Sequence, residues 1–255
     1  MTKKQKVIAI IAFVLIIVLI ALICISLQNK KDGGTPDDAQ ASASPSESLE
    51  PTPEPTPTPL QFTTAPEGYF NDALFIGDSR MVGIQMMETI DGATFFTTVG
   101  LSLTGAMSTS ADVSGVGTTT LPALLQSRQF GKVYVMLGIN ELGWYNLDKF
   151  IEYYGNIVDL LRETHPEAQI YIISILPVGA KATASQEMLN NDRVQMFNER
   201  IQGMCSEKQV YFVNGFEALA VNGSLPDDAS PDGVHMQPSY CHKLTDYLLT
   251  HTVSA

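Results

Sequence analysis

Five short apolar runs in the last three quarters of the chain constrain its fold more than any other feature. The runs are Ala73–Ile76, Ala93–Val99, Val133–Leu137, Ile170–Leu176 and Val210–Val213. Four of them are followed directly by Gly77, Gly100, Gly138 or Pro177, residue types that end or turn a strand. Short runs that are apolar on both faces are typical of a parallel sheet covered by helices on both sides. The sequence therefore predicts an α/β protein with a parallel sheet of about five strands.

Amphipathic segments lie between and after these runs. Apolar residues recur at helical spacing from Leu147 to Leu161, with Asn146 placed to cap the first turn. Residues 194–204 repeat the pattern, and Pro238 opens a last segment that ends at Leu249. Strands alternating with helices imply right-handed crossovers and a three-layer α/β/α sandwich. In such a sandwich the functional site lies at the carboxyl ends of the strands.

The amino-terminal segment has a different character. Val7 to Leu27 is apolar except for Ser26, and a helix of that length spans the roughly 30 Å hydrocarbon core of a bilayer. A cleaved secretory signal is the alternative, but it needs a shorter apolar core and a small-residue cleavage site, and the polar residues 28–31 follow here. Three lysines precede the run. Residues 1–27 are therefore predicted to form a cytoplasmic stub and a single transmembrane anchor in the lipid bilayer, with the rest of the chain outside the cell.

Residues 28–65 contain little that can fold. They are rich in Ser, Ala, Asp and Glu, and proline alternates with Thr or Glu from Pro51 to Pro59. Alternating proline cannot build a helix or a sheet ladder and favours extended polyproline II. We expect a disordered linker, which either serves as a spacer or has no further role.

The remaining domain, residues 66–255, is acidic. It carries 10 Lys or Arg against 21 Asp or Glu and has no basic stripe, which argues against nucleic acid as a partner. No spacing of Cys and His in it is typical of a zinc site, so no metal is expected. An oxidising location would permit a disulfide between Cys205 and Cys241, but the sequence does not give their separation.

Two segments carry residues suited to nucleophilic catalysis. Ser79 follows Gly77 and Asp78 after the first predicted strand, which places its hydroxyl at a helix amino terminus where backbone N–H groups can donate to an oxyanion. Such a triplet is also common in turns and helix caps. Near the carboxyl terminus, Asp232 lies three residues before His235. That spacing lets the carboxylate accept from Nδ1–H and leaves Nε2 free to take a serine proton, although a surface turn is the alternative.

Two further predicted strand ends can supply oxyanion donors. Asn140 follows the third strand with a side-chain amide, and Gly100 follows the second with a backbone N–H. Each residue type is common in loops and is a weak signal alone. The conjunction is the stronger signal, because a nucleophile, two oxyanion donors and an Asp–His pair follow in order at one edge of the predicted sheet.

This order of residues resembles the SGNH, or GDSL-type, esterase and lipase family, over the whole domain. The resemblance implies a flavodoxin-like α/β/α sandwich that needs no cofactor. It also implies a catalytic triad of Ser79, Asp232 and His235. Gly100 and Asn140 would form the oxyanion hole together with the backbone N–H of Ser79.

Three positions depart from the family pattern or leave it ambiguous. Glu141 replaces the second acid of the block Gly-x-Asn-Asp and is expected to be structural. Gly105 competes with Gly100 for the role of the second-block glycine. Arg80 stands where the family has leucine, and we expect it either to bind a carboxylate or sugar substituent of the substrate or to form a surface ion pair.

The family deacylates many substrates, so the substrate class is inferred from the rest of the chain. The predicted anchor and linker favour a small acyl ester, in particular an acetyl ester, on an acylated small molecule or an O-acetylated cell-surface glycan. Trp144 is predicted either to stack on a sugar ring or to pack against the following helix. Gly105 to Thr120 is small and polar and either borders an open cleft or is flexible. An O-acyltransferase with the same triad and a non-catalytic surface binding protein are the two other functions open at this point.

Overall fold

The computed structural model of the chain describes residues 62–87 and 90–253. The predicted anchor at residues 7–27 and most of the predicted linker lie outside the described residues. Within the described ranges, no helix is both long enough and apolar enough to cross a membrane.

A parallel five-stranded sheet forms the centre of the fold, as the apolar runs predict. Its strands are β1 (Ala73–Gly77), β2 (Thr94–Thr97), β5 (Lys132–Met136), β6 (Gln169–Ile173) and β7 (Tyr211–Val213). They lie in the order β2-β1-β5-β6-β7, and every neighbouring pair is parallel. The carboxyl ends of all five strands therefore meet at one edge of the sheet.

Helices cover both faces of this sheet. They are α1 (Ser79–Met86), α2 (Leu121–Ser127), α3 (Leu147–Thr164), α4 (Ala180–Ser185), α5 (Asn191–Glu207), α6 (Gly215–Leu219) and α7 (Pro238–Thr250). Leu74 and Ile76 pack in one core cluster with α2, α3 and α5, while Ala73 and Phe75 pack in a second cluster with α1 and α7. Alternate residues of one strand thus face two helical layers, which confirms the three-layer α/β/α sandwich.

Local sequence signals set the bounds of the longest helix. The side chain of Asn146 accepts a hydrogen bond of 2.9 Å from the backbone N–H of Lys149, which caps the first turn of α3. His165 occupies the C-cap position, where its backbone N–H donates to the carbonyl of Leu161. The cap at Asn146 agrees with the sequence-based interpretation of that residue.

An aromatic ladder crosses the whole sheet in one register row. It consists of Phe95, Phe75, Tyr134, Tyr171 and Tyr211, one residue from each strand. Consecutive ring centroids are 5.3, 4.7, 4.5 and 5.1 Å apart. Because rings in direct contact add to the burial of apolar surface, the ladder stabilises the pairing of all five strands.

The polar segment from Gly105 to Thr120 contains a β-hairpin that the spacing of apolar residues did not predict. It contains an antiparallel hairpin of β3 (Ser110–Val113) and β4 (Gly117–Thr120). Only Ala111 and Val113 of β3 point into the core, so its apolar signal is two residues long. The hairpin gives this segment a regular secondary structure that neither sequence-based interpretation included.

The two cysteines of the domain are both buried and free. Cys205 on α5 belongs to the core cluster on one face of the sheet, and Cys241 on α7 belongs to the cluster on the other face. The sheet lies between them, which rules out a disulfide in this fold.

Candidate active site

The end of β1 presents Ser79 at the first residue of α1. Gly77 makes the turn possible because a Cβ there would lie 2.4 Å from the Cβ of Met81. The side chain of Asp78 caps α1 by accepting a hydrogen bond of 2.9 Å from the backbone N–H of Arg80. Ser79 thus lies where the first backbone N–H groups of the helix have no carbonyl partner within it.

His235 reaches Ser79 from the loop before α7. Its Nε2 lies 2.9 Å from Ser79 Oγ, and its Nδ1 lies 2.6 Å from Asp232 Oδ2. Asp232 Oδ1 accepts hydrogen bonds from the backbone N–H groups of Val234 and His235 and from the hydroxyl of Ser230. These contacts fold the loop so that aspartate, histidine and serine form one continuous hydrogen-bonded line.

The carboxyl group of Asp232 is held in its charged form. Partial burial pushes its pKa upward, but hydrogen bonds from His235, Val234 and Ser230 outweigh that effect and bring the pKa well below its usual range. A carboxylate that stays ionised at neutral pH fixes the proton of His235 on Nδ1 and leaves Nε2 as an acceptor.

Asn140 lies in the 3₁₀ turn Ile139–Glu141 that follows β5. Its Nδ2 donates a hydrogen bond of 2.9 Å to the carbonyl of Leu101, which leaves the second N–H of the amide available. Asn140 and Ser79 line the same cavity, as the sequence predicts.

The predicted oxyanion donor Gly100 is exposed and adopts a positive φ of 75°, but it is not among the residues that line the cavity. The alternative glycine, Gly105, uses its N–H in a turn, where it donates to Ser102. Neither glycine lines the cavity, but the N–H of Gly105 is already shared between two acceptors of Ser102, which makes Gly100 the better candidate of the two.

Glu141 lies buried behind this site. Its Oε1 accepts a hydrogen bond of 2.9 Å from the backbone N–H of Leu103, which supports the structural role expected for it. Burial raises the pKa of Glu141 to about 7, with a smaller contribution from the charge of Asp78. Burial likewise raises the pKa of Asp78 to about 6.

Glu141→Gln is expected to stabilise the fold above neutral pH. The folded pKa of Glu141 lies above its ordinary value of 4.5, so the folded state loses stability as the pH rises from about 4.5 to about 7. A neutral glutamine keeps the bond to Leu103 without a buried charge. We expect a gain on the order of 2 kcal/mol at pH 8, several degrees in Tm, and little gain near pH 4.

Thermal unfolding at the two pH values measures this difference. Glu199→Gln, on the exposed side of α5, is the matched control because it removes the same charge without a burial effect. An equal gain from Glu141→Gln at both pH values would contradict the explanation by buried charge.

The site opens into a cavity of about 610 Å³. Its walls come from four segments of the chain, and they are Ser79, Ile139, Asn140, Gly143, Ser185, Gln186, Met188, Leu189, Asp232, Val234 and His235. Sequence reasoning missed the wall formed within residues 185–189, at the end of α4 and directly after it. That segment has neither a strand-end glycine nor a charged motif, so no local signal assigned it to the site.

Two predicted substrate contacts are corrected. Arg80 is 3% exposed and donates to the backbone carbonyls of Leu176 and Pro177, at 2.8 and 3.2 Å, so it neither lines the cavity nor forms a surface ion pair. Trp144 is half-buried and packs edge-on against Tyr153 of α3, with the ring centroids 5.9 Å apart. This contact agrees with the alternative interpretation of Trp144, packing against the following helix.

The described residues contain no group of three or more His, Cys, Asp or Glu side chains placed to hold a metal ion. The polar groups of the cavity are instead suited to moving a proton between a hydroxyl and an imidazole, and to donating hydrogen bonds to an anion.

Solved structures of esterases share this fold. A GDSL-like lipase from Bacteroides thetaiotaomicron is 17% identical, with a TM-score of 0.54 over 72% of this chain and 88% of that one. A carbohydrate acetylesterase from Sinorhizobium meliloti is 15% identical, with a TM-score of 0.50 over 69% and 95%. A mutant acetyl-xylooligosaccharide esterase from Geobacillus is 13% identical, with a TM-score of 0.51 over 72% and 96%. At these identities the likeness establishes the fold alone.

No curated protein matches the sequence of this chain. The model of the GDSL-like lipase/acylhydrolase family, in contrast, matches residues 75–239, a range that begins within β1 and ends in α7. The chain therefore belongs to the GDSL-like lipase/acylhydrolase family and is a carboxylic ester hydrolase.

Proposed function

We propose that Ser79, His235 and Asp232 act as a catalytic triad in the hydrolysis of small acyl esters. The observation that carries this proposal is the line of hydrogen bonds from Asp232 Oδ2 through the imidazole of His235 to Ser79 Oγ, at 2.6 and 2.9 Å. Nucleophile, base and orienting carboxylate lie within hydrogen-bond reach of one another at the mouth of a cavity, which is the arrangement that acyl transfer requires.

In the first half of the reaction, His235 Nε2 takes the proton of Ser79 Oγ while Oγ bonds to the acyl carbon. The tetrahedral intermediate collapses with cleavage of the ester C–O bond, and the alcohol leaves with the proton from Nε2. In the second half, water attacks the acyl-serine as His235 takes its proton. The second collapse releases the carboxylic acid and returns the proton to Ser79.

The negative oxygen of each intermediate needs donors that are already in place. The backbone N–H of Ser79, at the start of α1, and the second N–H of the Asn140 amide fit this role. We assign the backbone N–H of Gly100 as the third donor, because the competing Gly105 N–H is used in its turn.

The cavity favours a short acyl group, with acetyl as the preferred one. Its apolar lining is limited to Ile139, Met188, Leu189 and Val234, interspersed with polar side chains. Such a lining suits a small acyl group beside a hydroxylated alcohol better than a long hydrocarbon chain. Two of the structural neighbours, the carbohydrate acetylesterase and the acetyl-xylooligosaccharide esterase, act on acetylated sugars, which agrees with an O-acetylated glycan substrate.

We further propose that residues 7–27 anchor the chain in the bilayer with the catalytic domain outside the cell. Thr63, near the start of the described domain, pairs with Thr252 and lines a pocket with Lys132 and Gln169, the first residues of β5 and β6. The chain thus enters the domain at the edge of the sheet opposite Ser79.

Protease treatment of intact cells tests this location. We expect the catalytic domain to be cleaved in intact cells, and cleavage only after lysis would mean that the domain lies inside the cell.

The substrate proposal is tested with the purified full chain and aryl esters of increasing acyl length. We expect kcat/KM to be highest for acetyl and to fall at least 10-fold by octanoyl, since the cavity has little apolar wall for a longer chain. A fluorophosphonate probe is expected to abolish turnover and to modify Ser79, identified by peptide mass. A profile that rises with acyl length would overturn the small-acyl assignment, and labelling at another residue would overturn the triad.

A further inference from the structure

Arg80, the residue after the candidate nucleophile, is a buried cation that has no role in the proposed reaction. Its guanidinium donates from Nη1 to the carbonyl of Leu176 and from Nη2 to the carbonyl of Pro177. Burial lowers the pKa of Arg80 to about 10, while the nearby charges of Asp78 and Asp232 oppose that shift, so the side chain stays protonated at neutral pH.

The two carbonyls belong to residues 175–178, shortly after β6, and the backbone of each of these residues is hydrogen-bonded by a side chain of another element. Asn198 of α5 bonds both the N–H and the carbonyl of Ile175, at 2.8 and 2.9 Å. Asn191 does the same for Val178, at 2.9 and 2.8 Å. Arg80 alone among these side chains comes from the helix that begins with Ser79.

The loop of His235 rests on the end of the same segment. The backbone N–H of Gly179 donates a hydrogen bond of 2.8 Å to the carbonyl of Gly233, which lies between Asp232 and His235 in the chain. The contact is tight, because a Cβ on Gly233 would lie 2.6 Å from the backbone nitrogen of Ala182, and its φ is 82°. A continuous path of hydrogen bonds and short chain segments therefore runs from α1 through residues 176–179 to the loop that carries the imidazole.

We propose that Arg80 is a positioning residue that holds the helix of the nucleophile and the loop of the histidine in register. The inference rests on the proposed triad. Its physical basis is that a guanidinium presents donors in a rigid fork, so two adjacent carbonyls are fixed at once from a backbone position next to Ser79. Leucine, the family residue at this position, offers no such donors.

The test compares Arg80→Met with the unchanged full chain on aryl acetate. Loss of the fork is expected to lower kcat by 10- to 100-fold with KM changed less than about threefold, because a misplacement of about 1 Å costs on the order of 100-fold in rate. The rate of fluorophosphonate labelling of Ser79 is expected to fall in parallel. Hydrogen exchange of the Gly179 amide is expected to accelerate more than exchange in β1 or β5.

Arg162→Met is the matched control. Arg162 also donates to two backbone carbonyls, those of Ala168 and Gln209, which precede β6 and β7 at the opposite edge of the sheet. Its loss is expected to lower Tm while leaving kcat within about twofold. Arg80→Lys, which keeps the charge beside Asp78 but not the fork, is expected to fold and to give an intermediate kcat.

The outcomes separate this inference from the proposed function. If the unchanged chain is not labelled at Ser79, the triad itself fails. Suppose instead that the unchanged chain is labelled at Ser79. If a folded Arg80→Met or Arg80→Lys variant is then labelled, and hydrolyses the ester, as fast as the unchanged chain, the positioning role of Arg80 is wrong. A uniform rise of hydrogen exchange across the sheet would also overturn it, since that pattern marks loss of global stability.

Discussion

Ser79→Ala is expected to lower kcat for aryl acetate by at least about 10⁴-fold while KM changes little. The substitution removes the hydroxyl that is hydrogen-bonded to His235 Nε2, at 2.9 Å, and leaves the cavity walls and the backbone donors in place. Substrate therefore still binds, but the covalent path is closed, and what remains is the small acceleration that polarisation of the ester carbonyl provides. Steady-state kinetics with active-site titration measures the loss.

The matched control for this substitution is Ser185→Ala. Ser185 lines the same cavity, but its hydroxyl donates to the carbonyl of Ala182 and has no contact with the imidazole. We expect its kcat to stay within a few fold of the unchanged chain. His235→Ala and the double variant with Ser79→Ala are expected to lose about as much as Ser79→Ala alone, because residues that act as a unit are not additive. Full turnover in Ser79→Ala would contradict the assignment.

Tyr134→Ala is expected to have the largest effect on stability, a loss of about 3–5 kcal/mol in the free energy of unfolding. Tyr134 is fully buried at the centre of the aromatic ladder, with the rings of Phe75 and Tyr171 stacked at 4.7 and 4.5 Å. Its removal leaves a cavity on the middle strand and breaks two ring contacts at once. Since a domain of this kind is stable by roughly 5–15 kcal/mol, the variant is expected to lie close to unfolding at 37 °C.

Urea denaturation of Tyr134→Ala beside Tyr134→Phe measures this effect. Phenylalanine keeps the ring and its stacking, so we expect a change of about 1 kcal/mol or less. Equal losses from the two variants would mean that the hydroxyl, and not the ladder, stabilises the sheet. The position is remote from the cavity lining, so kcat of the folded fraction is expected to be unchanged.

Much of the fold follows from short-range patterns that survive folding unchanged. Each of the five apolar runs contains or overlaps a strand, because residues buried on both faces leave no polar alternation. The ends of the runs and of the strands differ where apolar residues continue beyond the last hydrogen-bonded pair of a strand. Val99, past the end of β2, is 75% exposed. Leu176 lies after the end of β6, where its carbonyl accepts a hydrogen bond from Arg80. Periodicity marks apolar positions, but it does not distinguish a strand from a buried or exposed loop.

Part of the candidate site could likewise be predicted from the sequence, and part of it depends on tertiary contacts. Ser79 and the Asp232–His235 spacing were readable from the sequence because each is a local motif whose geometry is set within a turn. The wall at residues 185–189 and the register of Gly233 against Gly179 depend on where distant segments meet. No local pattern encodes those contacts.

Arg80 shows most clearly which features follow from the sequence and which depend on the tertiary structure. The sequence by itself determined the parallel sheet, the strand end that carries Ser79 and the Asp–His pair, because strand burial and turn chemistry act over a few residues. It could not say whether the charged side chain next to the nucleophile faces solvent, substrate or protein. That was decided by the tertiary structure, because the two carbonyls that accept from Arg80 lie 96 and 97 residues away in sequence and reach it only when β1 and β6 lie in the same sheet.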